Sequence, residues 1–234
     1  MKTRIKLIWI TGIIAAIFSG CEYDNYDEPG SMLQGKIVYN GEAINVSYND
    51  VNMQLWEPGW QKKYPIDVAV AQDGSYSALL FNGTYKLVIP AAQGPFRSKL
   101  NAETNSDTIL VNLKGSQTLD IEVEPYYMIR NPQFTVSGRA ITGTFGAEKI
   151  ITDAGARNIE RVYLYVNKTQ FVDFRSNVAS ADIAGADLSN PAAISMTVTV
   201  PDLTPTQSYV YARVGLRIEG VEDMIFSPVT KVDL

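Results

Sequence analysis

The sequence predicts an all-β protein with two antiparallel β-sandwich domains in tandem, after a signal peptide and a short acidic tether. Apolar residues recur at every second position in many short segments, which is the period of a half-buried strand. Pairs such as Asp73-Gly74 and Asn82-Gly83 separate these segments with turn signals. The chain has 234 residues, of which 46% are hydrophobic and 19% charged, so it is long enough to build two such cores.

The segment 1–20 has the pattern of a bacterial signal peptide. Three Lys and Arg residues precede the apolar run 7–18, which is too short for a typical membrane-spanning helix. The run Phe18-Ser19-Gly20-Cys21 resembles the bacterial lipobox, although the lipobox prefers Leu where this chain has Phe18. The resemblance implies that Cys21 becomes the acylated first residue of the mature chain and anchors it to a membrane. An ordinary secretory peptide and a short membrane anchor are the alternatives.

Residues 21–30 comprise the lipidated cysteine and an acidic, turn-rich tether. An acidic segment directly after that cysteine resembles the surface-export signal of Bacteroidetes lipoproteins. The resemblance implies attachment to the outer membrane, with the protein facing the cell exterior. A solvated linker without such a signal is the plainer interpretation, and the two are compatible.

Residues 31–125 are predicted to form the first sandwich. The clearest strand has Tyr85 and Leu87 on its inner face and polar residues between them. Because Asn-Gly is typical of a two-residue turn, a β-hairpin is expected at Asn82-Gly83. The other inner-face residues expected here are Val51, Met53, Leu55, Ile66, Val68, Val70, Ile89, Ile109, Val111, Leu113, Leu119, Ile121 and Val123.

Two turn motifs in the first domain resemble those of a known fold. The residues Gly74, Tyr76, Gly83, Tyr85 and Leu87, in the order Asp-Gly-x-Tyr and Asn-Gly-x-Tyr-x-Leu, resemble the carboxypeptidase-regulatory-like (transthyretin-like) sandwich. The resemblance implies a β-sandwich module of a kind that is commonly non-catalytic. Both tyrosine rings are expected to pack in the core with their hydroxyl groups at its rim.

Residues 126–234 are predicted to form the second sandwich, with a turn at Asn131-Pro132. The run from Leu203 through Pro205 to Tyr209 resembles the fibronectin type III signature Leu-x-Pro-x-x-x-Tyr, whose tyrosine bonds back to nearby backbone. Tyr209 is out of phase with the apolar face of its strand, so either a bulge follows it or this corner is absent. The expected inner-face residues are Val162, Leu164, Val166, Met196, Val198, Val200, Val210, Ala212, Val214 and Leu216.

Three segments and the lipobox together resemble the sequences of one narrower family. The segments are Leu80 to Tyr85, Gly94-Pro95-Phe96 and Glu122 to Tyr127. They are similar to a family of Bacteroidetes lipoproteins of unknown function that accompany outer-membrane glycan-uptake systems of the starch-utilisation type. The resemblance implies a non-catalytic accessory protein, with outer-membrane uptake proteins as partners and a glycan as ligand.

The composition excludes several kinds of chemistry. The chain has no histidine and one cysteine, so Ser-His-Asp triads, Cys-His dyads and the usual zinc sites are absent. Nucleotide-binding glycine motifs are also missing, and a net charge of −5 does not favour nucleic acid. We therefore expect no cofactor, no metal and no enzymatic activity. A pair of catalytic carboxylates, or calcium on loop carboxylates such as Asp73 or Asp153, is a remote alternative.

The candidate ligand-binding residues are Trp56, Trp60 and Tyr64, which lie together around Pro58-Gly59. An indole face stacks on the C–H face of a pyranose, and the Glu, Gln and Lys residues in the same segment could bind sugar hydroxyls. In the alternative interpretation, Trp56 continues the strand of Met53 and Leu55 into the core, and Trp60 closes its end.

Two other features of the second half of the chain bear on function. Tyr126 and Tyr127 lie at the predicted domain junction and are expected to pack between the domains rather than to bind ligand. Residues 146–158 and 176–193 are expected to be long polar loops, where binding residues tend to lie. The whole sequence thus supports two hypotheses: a glycan-binding accessory lipoprotein, or a structural spacer that docks on an outer-membrane partner without sugar.

Overall fold

The computed structural model of the chain describes residues 27–59 and 64–234. The predicted signal peptide, Cys21 and Trp60 lie outside these residues. Within the described part, no helix has the length and apolar character needed to cross a membrane. The regular structure of residues 27–59 and 64–234 consists of strands and one 3-10 turn at Gly185–Asp187, so the all-β prediction is confirmed.

The first domain is a sandwich of two sheets built from ten strands. The strands are β1 (Ser31–Tyr39), β2 (Glu42–Ala43), β3 (Asn52–Trp56), β4 (Ile66–Ala69), β5 (Ser75–Leu80), β6 (Gly83–Val88), β7 (Phe96–Ser98), β8 (Ile109–Leu113), β9 (Gln117–Thr118) and β10 (Ile121–Pro125). One sheet, here the β1 sheet, has the order β2-β1-β10-β7, with β5 and β9 also paired to β1. The other, the β3 sheet, has the order β4-β3-β6-β8. Strand β1 pairs in parallel with β9 and β10, and these parallel pairs were not predicted.

The prediction of a β-hairpin at Asn82-Gly83 is wrong. Strand β5 pairs with β1 in one sheet, whereas β6 pairs with β3 and β8 in the other. The pair therefore forms a corner between the two sheets. The Oδ1 atom of Asn82 fixes this corner, because it accepts hydrogen bonds from the Ser31 hydroxyl at 2.7 Å and the Gly115 N–H at 2.7 Å. A turn signal specifies a chain reversal, but the partners of the two strands depend on distant segments.

The turn at Asp73-Gly74 is present. The Asp73 carboxylate accepts hydrogen bonds from the N–H and the hydroxyl of Ser75, at 3.1 and 2.6 Å. Gly74 has φ +78°, and a Cβ atom there would lie 2.4 Å from the carbonyl oxygen of Ile44. Only glycine fits this position, because both the backbone angle and the space exclude a side chain.

The second domain is also a two-sheet sandwich. Its strands are β11 (Tyr127–Ser137), β12 (Ala140–Lys149), β13 (Ile159–Asn167), β14 (Ala179–Ala184), β15 (Ile194–Thr199), β16 (Tyr209–Ile218), β17 (Ile225–Phe226) and β18 (Thr230–Asp233). Strands β11-β12-β15 form one sheet, and β14-β13-β16-β17 form the other, with β18 also paired to β16. Strand β14 occupies part of the segment 176–193, which was expected to be a loop, and β12 extends into 146–158.

Two local predictions in this domain are settled by the strand registers. Asn131-Pro132 is a bulge within β11 rather than a turn, because the register with β12 shifts between Arg130 and Gln133, and Asn131 has φ +49°. Strand β16 pairs without a shift at Tyr209, so no bulge follows this residue. Its ring lies against Lys231, with Nζ 4.1 Å from the ring centroid. Of the two alternatives, the structure therefore agrees with the one in which the tyrosine corner is absent.

The two domains share a continuous apolar core, and a buried arginine joins them. Arg213 of β16 has no exposed surface, and burial lowers its pKa to about 9, so it is still cationic at neutral pH. One of its Nη atoms donates to the carbonyl oxygens of Val46 and Gln72 in the first domain, at 3.0 and 2.7 Å. Its Nε atom donates to the Ser227 carbonyl in the second domain at 2.7 Å. One side chain thus bonds to backbone from both domains.

Candidate functional site

Trp56 is the last residue of β3 and lies on the outer face of the β3 sheet. Strand β3 buries Met53 and Leu55 in the sandwich, whereas Trp56 is partly exposed on the opposite side. Successive side chains of a strand point to opposite faces, so Trp56 cannot belong to the inner-face set of Met53 and Leu55. The alternative that places Trp56 in the core therefore does not hold.

Trp56 begins a row of three side chains that crosses the outer face of the sheet. The ladder pairs Trp56 with Lys86 of β6, and Lys86 with Leu110 of β8. Lys86 is exposed, and Leu110 is 72% exposed. Residues paired in this way have Cβ atoms about 4.5–5.5 Å apart. These three residues, here called the Trp56 row, form a continuous surface open to solvent.

Polar groups lie beside the Trp56 row on the same face. Gln54 precedes Trp56 by two positions in β3 and pairs with Asp67 of β4. The amide nitrogen of Gln54 donates to the Asp67 carboxylate at 3.4 Å, so the two side chains are close together. An indole with a neighbouring amide and carboxylate suits a hydroxyl-rich ligand, because the ring covers C–H groups while the polar groups bond to hydroxyls.

Tyr64 lies in the segment between β3 and β4, at the end of β3 that carries Trp56. Its side chain is 77% exposed. Trp60 lies in the range 60–63, outside the described residues. The structure therefore brings Trp56 and Tyr64 to one end of the sheet, where both rings reach solvent.

Tyr126 and Tyr127 have different surroundings at the junction. Tyr127 is buried at the start of β11, and its hydroxyl donates to the Arg157 carbonyl in the second domain at 3.0 Å. Burial raises its pKa. Tyr126 is half-buried, and its backbone bonds to Pro95 in the first domain and Ile150 in the second. Tyr126 also lines a cleft between the domains, together with residues of both.

An aromatic cluster at the junction was not found by the sequence analysis. Tyr48 of the first domain and Phe171 of the second lie edge to face, with ring centroids 5.4 Å apart. Arg175 packs over the ring of Phe174 and donates to the carbonyl of Tyr48 and the carboxylate of Asp50. Tyr48 comes from a loop of the first domain, whereas Phe171 and Phe174 come from one loop of the second, so no local pattern shows that they meet.

Two buried carboxylates at the junction serve contacts between the domains. Asp173 accepts a hydrogen bond from the Ser47 hydroxyl at 2.5 Å, and Asp223 accepts one from the Gly94 N–H at 2.6 Å. Burial raises the pKa of Asp223, although the Gly94 N–H favours its charged form. Within residues 27–59 and 64–234, no group of three or more His, Cys, Asp or Glu side chains could hold a metal ion. The hydrogen bonds that Asp173 and Asp223 accept from the first domain indicate a structural role for both.

Comparison with family models assigns both domains. Residues 31–124 match the model described as the N-terminal domain of a protein of unknown function, DUF3823. Residues 127–231 match the model described as a domain of unknown function, DUF3823_C. Among curated proteins, no sequence match reaches significance.

Solved structures of the same fold come from Parabacteroides and Bacteroides species. A DUF3823 family protein from Parabacteroides merdae is 35% identical, with a TM-score of 0.76 over 88% of this chain and 100% of its own. One from Bacteroides ovatus is 31% identical, with a TM-score of 0.75 over 87% of this chain and 99% of its own. A Bacteroides uniformis protein named a "putative carbohydrate binding protein" is 17% identical, with a TM-score of 0.70 over 88% of this chain and 100% of its own. At that identity the last comparison shows the fold alone.

Proposed function

We propose, from the premise that the chain belongs to the DUF3823 family of unknown function, that it is a non-catalytic lipoprotein that binds glycans at the outer-membrane surface. In this role it is an accessory to a glycan-uptake complex. The observation that carries the proposal is the outward position of Trp56 beside Gln54, Asp67 and Lys86. A tryptophan on the outer face of a sheet is available to a polysaccharide chain, whereas a core tryptophan would not be.

The location in this proposal rests on the sequence. The lipobox ending at Cys21 supports a lipid anchor, and the acidic segment after it supports display on the cell exterior. Ten extended residues span at most about 35 Å, so the segment 21–30 could hold the first sandwich clear of lipid headgroups. A glycan-binding face at that height would meet polysaccharide outside the cell. The protein named for carbohydrate binding shares this fold, which is consistent with the proposed ligand class.

Affinity electrophoresis of the full chain against a panel of polysaccharides tests the proposal. We expect at least one polysaccharide to retard the protein, and the Trp56→Ala variant to lose most of that retardation, because stacking on an aromatic ring is removed. The matched control is Phe174→Ala, since Phe174 is also an exposed aromatic but lies in the second domain. No retardation by any polysaccharide, or equal retardation of the two variants, would contradict the proposal.

A second candidate function is that of a structural spacer that docks on an outer-membrane partner through protein contacts. The observation that favours it is the firm joint between the domains, with Arg213 bonded to backbone from both. Purification of the tagged chain from its native membrane, with and without added polysaccharide, separates the two. If a partner protein co-purifies with the chain and no polysaccharide retards the chain, the result supports the spacer function.

A further inference from the structure

We infer that the cleft between the two domains is a second binding site, which takes a single neutral sugar residue. The cleft has a volume of about 430 Å³ and is lined by residues of both domains. Pockets for small ligands typically measure about 300–1,000 Å³ and often lie at domain interfaces. The inference rests on the proposed function for its class of ligand, but it uses none of the residues of the Trp56 row.

Several polar side chains in the cleft have no hydrogen-bond or ion-pair partner among the described residues. Asp107, Arg157 and Glu222 line the cleft, and none of their side chains forms a hydrogen bond or ion pair with the residues described at 27–59 and 64–234. In contrast, Arg97 lines the same cleft but is committed to Glu124 at 2.6 Å and Asp153 at 2.9 Å. The three unpartnered groups supply both donors and acceptors, which is what a ligand with several hydroxyls requires.

The balance of charge favours a neutral ligand over an anionic one. Because Arg97 is neutralised by its two carboxylate partners, Arg157 is the cation left to face Asp107 and Glu222. An acidic sugar would therefore meet two carboxylates for one guanidinium, and like charges brought together weaken binding. Hydroxyl groups instead donate to the carboxylates and accept from Arg157.

The cleft also offers an apolar surface for a sugar ring. Half-buried Tyr126 lines the cleft, as does Leu100, which is 54% exposed. An aromatic ring packs against the C–H face of a pyranose while its neighbours bond to the hydroxyls. The cleft therefore combines the apolar and polar groups that one sugar residue needs.

Contacts between the domains hold the walls of the cleft in place before any ligand binds. The Gly94 N–H donates to Asp223 at 2.6 Å, and the Tyr126 N–H donates to the Pro95 carbonyl at 3.1 Å. Ala92, on the first-domain wall, has φ +72°, a conformation that costs a non-glycine residue energy and persists where the surroundings impose it. A preformed cleft reduces the ordering cost of binding.

Saturation-transfer NMR of the full chain with the methyl glycosides of glucose, galactose, mannose and xylose tests the inference. We expect at least one glycoside to receive saturation. We also expect Arg157→Gln and Glu222→Gln each to weaken its binding about tenfold or more, because each removes a charged hydrogen-bond partner. Both side chains are exposed, so neither change should alter folding. The matched controls are Arg217→Gln and Glu160→Gln, which form an ion pair with each other on the surface of the second domain.

The outcomes separate this inference from the proposed function. No saturation of any of the four glycosides, or unchanged affinity in both cleft variants, overturns the inference. A loss of glycoside binding in Trp56→Ala that matches the cleft variants also overturns it, because the sugar would then bind at the Trp56 row. If glycosides bind in the cleft and no polysaccharide retards the chain, the proposal for the Trp56 row is contradicted, whereas the inference about the cleft is supported.

Discussion

Tyr85 and Lys86 are neighbours in β6 whose side chains face opposite sides of the first sandwich. Tyr85 is 1% exposed, and its hydroxyl donates to the Phe81 carbonyl at 2.9 Å, whereas Lys86 points to solvent in the Trp56 row. The sequence pattern predicted both orientations, because alternation alone fixes the face of each residue in a strand. One adjacent pair therefore separates the cost of losing core packing from the cost of changing the surface.

We predict that Tyr85→Ala lowers the free energy of unfolding by about 3–5 kcal/mol, while Lys86→Ala changes it by no more than about 0.5 kcal/mol. The first change leaves a cavity in the core, and the second removes an exposed chain. Urea titration followed by tryptophan fluorescence measures both. Similar midpoints for the two variants would mean that the faces of β6 are reversed.

At the scale of elements, the sequence predicted which face of a strand is buried better than it predicted which strands pair. The inner-face residues of β3, β6, β8 and β10 follow from period two, and the structure buries almost all of them. The pairing of β5 with β1 and of β6 with β3 could not be read locally, because each contact joins segments far apart in the chain. The Asn-Gly pair gave the right position for a reversal and the wrong partners for its strands.

The candidate sites differ in the same way. Trp56 and Tyr64 were found because rare aromatic residues lie close together in one short segment. The cleft between the domains was not found, because Asp107, Arg157 and Glu222 come from three separate segments and meet only in the folded chain. A local pattern can mark a site on one element, but not a site that several elements assemble.

Gly74 and Gly41 show how a turn can be fixed by space as well as by backbone angle. Both have positive φ, at +78° and +80°, but only at Gly74 would a Cβ atom collide with backbone, 2.4 Å from the Ile44 oxygen. We predict that Gly41→Ala costs about 1 kcal/mol for its backbone angle and that Gly74→Ala costs about 3 kcal/mol or more. Thermal unfolding of the two variants measures the difference. Equal losses would show that the collision is relieved by movement of the turn.

At the scale of the whole molecule, the joint between the domains is the feature on which the cleft depends, because residues of both domains line it. Buried Arg213 donates to carbonyl oxygens of Val46, Gln72 and Ser227, and its guanidinium lies 4.4 Å from the ring centroid of Phe226. Asp173 and Asp223 of the second domain accept hydrogen bonds from the Ser47 hydroxyl and the Gly94 N–H of the first. These contacts fix the width of the cleft, so ligand affinity and domain coupling are linked.

We predict that Arg213→Ala lowers the free energy of unfolding by about 3–5 kcal/mol. We also expect the two domains of this variant to unfold in separate thermal transitions. The change leaves buried carbonyl oxygens without a donor, and each such loss is costly in the interior. The matched control is Arg217→Ala, four residues later in the same strand, where an exposed arginine pairs with Glu160 and contributes at most about 1 kcal/mol. Scanning calorimetry of both variants provides the measurement. A single transition for Arg213→Ala at the temperature of the control would mean that the shared apolar core alone couples the domains.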